Sequence, residues 1–199
     1  MRDTYDVIGR TYATRRQADP RLAGRIAAAI GDTTTVRNVG AGTGSYEPVR
    51  AEVVAVEPSA VMIAQRSCTA APSVRAYAEA LPFSDGAFDV VLAVFTVHHW
   101  DDQRRGLDVQ PLPIPGDCVD GFLGAFWQRP DAYLDQGVRE GISSFGRLSS
   151  VEGQLARLRR DLVSGQWERQ YGALRGRESL DIGYRLVVTD RSKRGAPSA

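Results

Sequence analysis

Little in this sequence can hold a metal or a disulfide framework. The only two cysteines, Cys68 and Cys118, are isolated, with no Cys-x-x-Cys and no histidine beside either, and that spacing argues against both roles. No apolar run approaches the ~20 residues of a membrane span, and the N-terminus lacks an apolar signal core. The expectation is therefore a cytoplasmic protein with no membrane partner. Excess charge is missing too: 25 basic residues stand against 24 acidic ones, a net +1. Such a balance offers no electrostatic footprint for nucleic acid. Lysine is nearly absent, Lys193 being the only one; the arginine bias reads as genome composition. There are no internal repeats and no linker.

What is present suits one domain. A chain of 199 residues, 43% of them apolar, can build a single core, expected over residues 1–190, with a disordered tail at 191–199. The informative stretch is Val36–Glu57. An apolar run ends at Gly40, and Gly40, Gly42 and Gly44 follow in Gly-Ala-Gly-Thr-Gly. A second apolar run, Val53 to Val56, closes on Glu57. Two buried strands joined across a glycine turn read as the opening of a parallel sheet. Glycine lets the backbone approach a ligand because no Cβ intervenes. A carboxylate at the tip of the second strand can accept hydrogen bonds from both hydroxyls of a ribose. The stretch reads as a nucleoside site, with an ordinary glycine-rich turn as the plainer alternative.

Spacing narrows the nucleoside. The dinucleotide fingerprint is Gly-x-Gly-x-x-Gly; here the third glycine comes one residue early, which argues against a nicotinamide-dependent oxidoreductase. The Lys-Ser/Thr pair of a P-loop is also missing. Gly-x-Gly-x-Gly, with its preceding strand and an acid thirteen positions after Gly44, resembles the first motif of class I S-adenosylmethionine-dependent methyltransferases. A second block, Ala78-Glu79-Ala80-Leu81-Pro82-Phe83 through Phe88-Asp89-Val90-Val91, resembles the UbiE-like, type 11 members of that family. The resemblance is clear over residues 1–105 and less specific beyond.

It implies an α/β, Rossmann-like class I methyltransferase fold: a parallel sheet with an antiparallel last strand. It implies S-adenosylmethionine as cofactor, S-adenosylhomocysteine as product and a small-molecule acceptor such as a secondary metabolite. The cofactor residues it implies are Asn38, Gly40, Ala41, Gly42, Gly44, Ser45, Glu57 and Pro58, then Met62, Ala78, Glu79, Ala80, Val94 and Phe95. Met62 also reads as plain core filler. Tyr5 and Tyr12 resemble the family's N-terminal lid, so Tyr12 is expected near the cofactor and Arg15 or Arg16 near its carboxylate. Taken singly, either arginine reads as solvated surface. Two departures stand out. Asn38 occupies the place of an acid that helps hold the cofactor's amino group in the family, and Tyr77 stands where an aspartate is common.

Both histidines, His98 and His99, follow the fourth strand. Histidine titrates near neutral pH, so either is a candidate general base; capping or packing at the sheet edge is the alternative. The chain then passes from Gly106 almost directly to Leu107–Pro115, which resembles the family's sixth strand region. The fifth strand region is missing. A parallel crossover needs about a dozen residues or more, so the expectations are a shortened sheet, an unusual connection, or a second copy of the chain completing the edge as a homodimer. Activity without methyl transfer, either cofactor binding alone or another reaction on the same scaffold such as cyclisation, is the second reading.

Elsewhere the patterns are local. A helix is expected over Pro20–Ile30, started by Asp19 and stopped by Gly31, with Leu22, Ile26, Ala29 and Ile30 inward. Further expectations are a helix from Pro58-Ser59 to about Arg66, a third strand over Pro72–Tyr77 and a fully buried strand over Val90–Val94. Phe122, Leu123, Phe126 and Trp127 share a helical face, read as core or as a substrate wall. Ser149 and Glu152 form a capping box ahead of a helix to Val163, its apolar stripe Val151, Leu155, Leu158 and Leu162. A last strand is expected over Leu180–Thr189.

Overall fold

The computed structural model describes residues 12–96 and 108–188. After a short helix α1 (Tyr12–Arg15) comes α2 (Pro20–Ile30). The Asp19 carboxylate caps α2, accepting from the Arg21 N–H at 3.0 Å, and Gly31 ends it at φ 70°. Contact with the core runs through Leu22, Ala23, Ile26 and Ile30, whereas Ala29 is exposed.

Strands β1 (Thr35–Val39), β2 (Glu52–Val56), β3 (Ser73–Val74) and β4 (Val90–Leu92) form one sheet in the order β3-β2-β1-β4. Every pairing in it is parallel, with Thr35 opposite Glu52 and Val36 opposite Val90. Val36, Val39, Val53, Ala55 and Val56 are buried, as expected for apolar strands covered on both faces. Asp89 ties the start of β4 to β1, its Oδ2 accepting from the Thr34 and Thr35 N–H groups at 3.2 and 2.9 Å. Helix α3 (Ala60–Ala64) connects β2 to β3 and is capped by the Ser59 hydroxyl.

β4 is shorter and less buried than its sequence predicts. It stops at Leu92, and Val91 is 51% exposed. The strand is one of the two edges of the sheet, and a continuous apolar run is buried only where layers cover both its faces. No fifth parallel strand is present among the described residues. β3 also contracts, from the expected Pro72–Tyr77 to two residues.

The second half of the chain builds antiparallel structure. β5 (Asp108–Pro111) pairs with β8 (Arg185–Val188), and β6 (Ile114–Pro115) with β7 (Ser179–Leu180). The expected single last strand is thus two, broken where Gly183 turns at φ 98° with its N–H on the Asp181 carboxylate. Between them lie α4 (Gln136–Glu140), α5 (Glu152–Val163) and α6 (Gln166–Tyr171).

The aromatic stretch after Asp117 does not form one α-helix. It makes two short 3₁₀ turns, Leu123–Phe126 and Pro130–Leu134. Phe122 is buried, Phe126 and Trp127 are partly buried, and Leu123 is 44% exposed. Gly124 explains the tight path: a Cβ there would lie 2.5 Å from the Tyr184 ring and 2.6 Å from Ile182. The capping box also shifts. Glu152 serves Ser150 and the Val151 N–H instead of Ser149. The α5 stripe is only half-buried, against α6 and the Pro130–Leu134 turn.

One core cluster joins the two halves: Leu22 and Ile26 of α2, Tyr46, and Leu112, Ile114, Cys118, Phe122 and Ala125. Among the described residues no helix is long and apolar enough to cross a membrane.

Candidate functional site

All four parallel strands end on the same side, so the segments after them share one edge: the glycine bend after β1, Glu57 after β2, Ala78–Ala80 after β3 and Val94–Thr96 after β4. The carboxyl edge of an open α/β sheet is where such folds bind ligands. The bend is built by local rules. Gly40, Gly42 and Gly44 have φ of 68°, 52° and 91°, a region that side-chain-bearing residues rarely adopt. The Gly40 and Ala41 N–H groups both donate to the Val56 carbonyl, at 2.9 and 3.0 Å, hooking the bend over the end of β2. A Cβ on Gly40 would collide with Thr96 Oγ1 and lie 2.8 Å from Thr96 Cβ, and one on Gly42 would lie 3.3 Å from Met62 Cε.

Glu57 is buried and clamps two segments. Its Oε2 accepts from the Gly42 N–H at 2.8 Å and its Oε1 from the Ser59 N–H at 2.9 Å. It therefore holds the glycine bend to the start of α3. Asn38, also buried, donates from Nδ2 to Glu47 Oε1 at 3.3 Å, while its Oδ1 has no hydrogen-bond partner among the described residues. Met62 is buried against Gly42; Pro58 and Ser45 are partly buried. In the turn after β3, Ala78 is partly buried and Glu79 and Ala80 are exposed.

Phe95 carries the one positive φ outside glycine among the described residues, 56°. Such strain persists only where surroundings over-determine it, and here they do. Phe95 lies 4.8 Å from the Phe122 ring, 5.7 Å from Tyr184 and 6.0 Å from Tyr46. The aromatic reading of Phe122 thus resolves towards core, packed directly beneath the β4 end of the candidate site.

Arg16 is neither solvated nor poised for a carboxylate ligand. It is buried and bonded to Asp120, Nε to Oδ1 at 2.5 Å and Nη2 to Oδ2 at 3.1 Å. The Tyr46 hydroxyl donates to the same Asp120 at 2.8 Å. Burial, then the Asp120 charge, push the Tyr46 phenol well above its ordinary range, so it acts as a donor. The Ala13 N–H reaches Gln65 Oε1 at 3.3 Å, so the N-terminal segment spans from the end of α3 to Asp120. The side chains of Tyr12 and Arg15, and all of His98 and His99, lie outside the described residues. Two features escaped the sequence reading: the Arg16–Asp120–Tyr46 network, and a buried Arg66–Glu47 pair at 2.7 Å behind the bend. Neither has a local sequence signal.

The comparisons fit this geometry. Residues 38–109 match the family Methyltransf_11, described as a methyltransferase domain. Forty-one residues are 54% identical to the uncharacterized protein YafE of Escherichia coli K12, a match spanning only 20% of either chain. A structure from Anabaena variabilis, described as a methyltransferase from an antibiotic biosynthesis pathway, superimposes with a TM-score of 0.80 at 27% identity, over 87% of this chain and 98% of that one. A Thermotoga maritima structure, described as a methyltransferase dependent on S-adenosylmethionine and a possible histamine N-methyltransferase, reaches a TM-score of 0.39 at 17% identity, over 78% and 72% of the two chains. A sheet that hangs its bend and its acid on adjacent strand ends, matches a methyltransferase-domain model over residues 38–109 and superimposes on a methyltransferase at this coverage has the Rossmann-like class I methyltransferase fold.

Proposed function

We propose that the protein transfers a methyl group from S-adenosylmethionine to a small-molecule acceptor. One observation carries the reading: the glycine bend and Glu57 converge at the adjacent carboxyl ends of β1 and β2, joined by the Gly42–Glu57 bond. The fit to the cofactor has a test in the chain itself. Asn38 Oδ1 is a buried acceptor without a donor among the described residues, suited to an N–H of the cofactor's amino acid portion. Gly40, Ala41, Gly42, Gly44 and Ser45 would shape the floor, Glu57 and Pro58 would face the ribose side, and Met62, Ala78, Glu79 and Ala80 would line the adenine side. Val94 and Phe95 would close the β4 side, with Tyr12 on the N-terminal segment above.

When bound, the cofactor supplies an electrophilic sulfonium methyl. The chain's part is then chiefly orientation, worth roughly 7–11 kcal/mol. A general base, with His98 and His99 the candidates, adds about 10²–10⁴-fold, or roughly 3–5 kcal/mol. Orientation is the larger effect, so the reading does not depend on either histidine. A small metabolite as acceptor is supported by the Anabaena variabilis neighbour, described as part of an antibiotic pathway.

A second reading has its own support in the bare flank of β4, where Val91 is 51% exposed and no fifth strand stands among the described residues. On that reading the protein binds the cofactor without methyl transfer, and a second copy of the chain completes the sheet edge. Calorimetry with S-adenosylmethionine, followed by assay of S-adenosylhomocysteine release against a metabolite extract, separates the two. Binding with turnover supports the first; binding without turnover supports the second. No heat with either compound would remove both. Light scattering reports the dimer directly.

A further inference from the structure

Behind the glycine bend lies a buried ion pair that the reading above leaves unused. Arg66 and Glu47 have side chains only 5% and 10% exposed, and Arg66 Nη2 donates to both Glu47 oxygens, at 2.7 and 2.9 Å. Arg66 also reaches the Gly42 carbonyl at 3.2 Å and the Ala71 carbonyl at 3.0 Å. Gly44 packs on the pair: a Cβ there would lie 3.0 Å from Glu47 Oε2 and 3.3 Å from Arg66 Nη1. Glu47 also accepts from Asn38 Nδ2, at 3.3 Å.

That last bond decides how the Asn38 amide is turned. The two ends of an amide are nearly equal in shape, so electrostatics choose between them. An ionised carboxylate only accepts. The Asn38 amino end must therefore face Glu47, since the reverse would set a carbonyl oxygen against a carboxylate. With the amino end engaged, the carbonyl end is left as a buried acceptor without a donor among the described residues. Arg66 holds Glu47 in place, and Ala71 adds its N–H to Glu47 Oε2 at 3.4 Å.

We infer that Glu47, held by Arg66, is a positioning residue that turns the Asn38 amide so that its Oδ1 receives an ammonium or amine N–H of the bound ligand. The inference rests on the cofactor reading and adds to it a device for recognising the amino group. A neutral amide thereby does the work of an acceptor whose direction is set by a charge one residue removed. A chain with an acid at position 38 would not need Glu47 for this purpose, because both oxygens of a carboxylate accept.

That contrast between amide and acid can be measured. Dissociation constants are taken by calorimetry for S-adenosylhomocysteine and for its analogue lacking the amino group. Their ratio, the amino preference, is compared in wild type, Asn38→Leu, Glu47→Gln and the double variant Asn38→Asp/Glu47→Gln. Wild type should prefer the amino compound by about tenfold or more, the size of one charge-assisted hydrogen bond. Asn38→Leu should bring the ratio near one while still binding the analogue. Glu47→Gln should lower the ratio several-fold, and the double variant should restore it, since a carboxylate at position 38 needs no turning. A merely structural Glu47 would weaken both compounds alike and leave the ratio unchanged in both backgrounds; that result overturns the inference while the cofactor reading stands. If wild type binds neither compound, the cofactor reading fails and takes this inference with it. Should Glu47→Gln not fold, Arg66→Lys takes its place, since it keeps the Glu47 charge but gives up the two-oxygen grip: the amino preference should fall, and an unchanged ratio overturns the inference.

Discussion

Replacing Gly40 with alanine tests whether the bend is shaped by close approach as well as by glycine's backbone freedom. Gly86, in the turn at Asp85-Gly86, is the natural control. The two residues have similar φ, 68° and 74°, but a Cβ on Gly86 meets nothing within 4 Å, whereas one on Gly40 collides with Thr96 Oγ1 and meets Thr96 Cβ at 2.8 Å and Cγ2 at 3.0 Å. A positive φ costs alanine roughly 1–2 kcal/mol. A stiffer unfolded chain offsets about 0.4–1 kcal/mol of that. Gly86→Ala should therefore lose no more than about 1.6 kcal/mol. Gly40→Ala carries a backbone penalty of that kind plus overpacking, typically ~1–3 kcal/mol, because all three Thr96 atoms lie inside normal contact. With a urea slope of about 2 kcal/mol per molar, the midpoint should fall about 0.5–1.5 M further than in Gly86→Ala. Thr96→Gly removes all three contacting atoms, so the double variant Gly40→Ala/Thr96→Gly should recover the overpacking part and show favourable coupling in a double-mutant cycle. Equal midpoints for the two alanine variants would refute the claim that β4's end presses on the bend.

Three other tests address separate links. Glu57→Ala leaves the Gly42 and Ser59 N–H groups without their acceptor; urea melts should show a loss of about 2–4 kcal/mol, and S-adenosylhomocysteine should bind at least about tenfold more weakly by calorimetry. Asp19 is held well below the ordinary carboxylate range, first by the Arg21 guanidinium, then by the Val119 and Arg21 N–H groups against the opposing effect of burial. A depressed carboxyl contributes stability in full above its unfolded value near ~3.9 and loses it as pH falls through the folded value. Asp19→Asn should therefore be less stable than wild type at pH 7, and urea midpoints taken down to about pH 3 should show the gap narrowing below about pH 4. Burial pushes the Cys118 thiol up to about 12, whereas Cys68 is exposed. One thiol should react with Ellman's reagent at about pH 8 in the native protein and two after unfolding; rapid native reaction of both would contradict the burial of Cys118.

How much of this could be read in advance depended on the range of the interactions. Helix Pro20–Ile30 was legible to the residue, because an Asp cap, a first-turn proline and a terminal glycine act within a few positions. The same holds for the bend, since φ above zero at Gly40, Gly42 and Gly44 is a property of glycine itself, and for Glu57, whose Ser59 bond spans two residues. The path after Asp117 was not legible. Helical periodicity grouped Phe122 to Trp127, but Gly124 is pulled onto Tyr184, sixty residues away, and close packing overrode the local pattern. Arg16 misled for the same reason, because its partner Asp120 lies 104 positions on.

The sequence alone determined the bend, the acid that faces it and the strands that carry both, because capping, glycine stereochemistry and apolar runs are short-range physics. Only the tertiary structure decided what stands behind them. Glu47 meets Arg66 nineteen residues away and turns Asn38. Asp120 gathers Arg16 and Tyr46, and β4 ends the sheet with one flank uncovered among the described residues. Charges and acceptors find one another across such distances only once the chain has closed and driven out the water that would otherwise pair them.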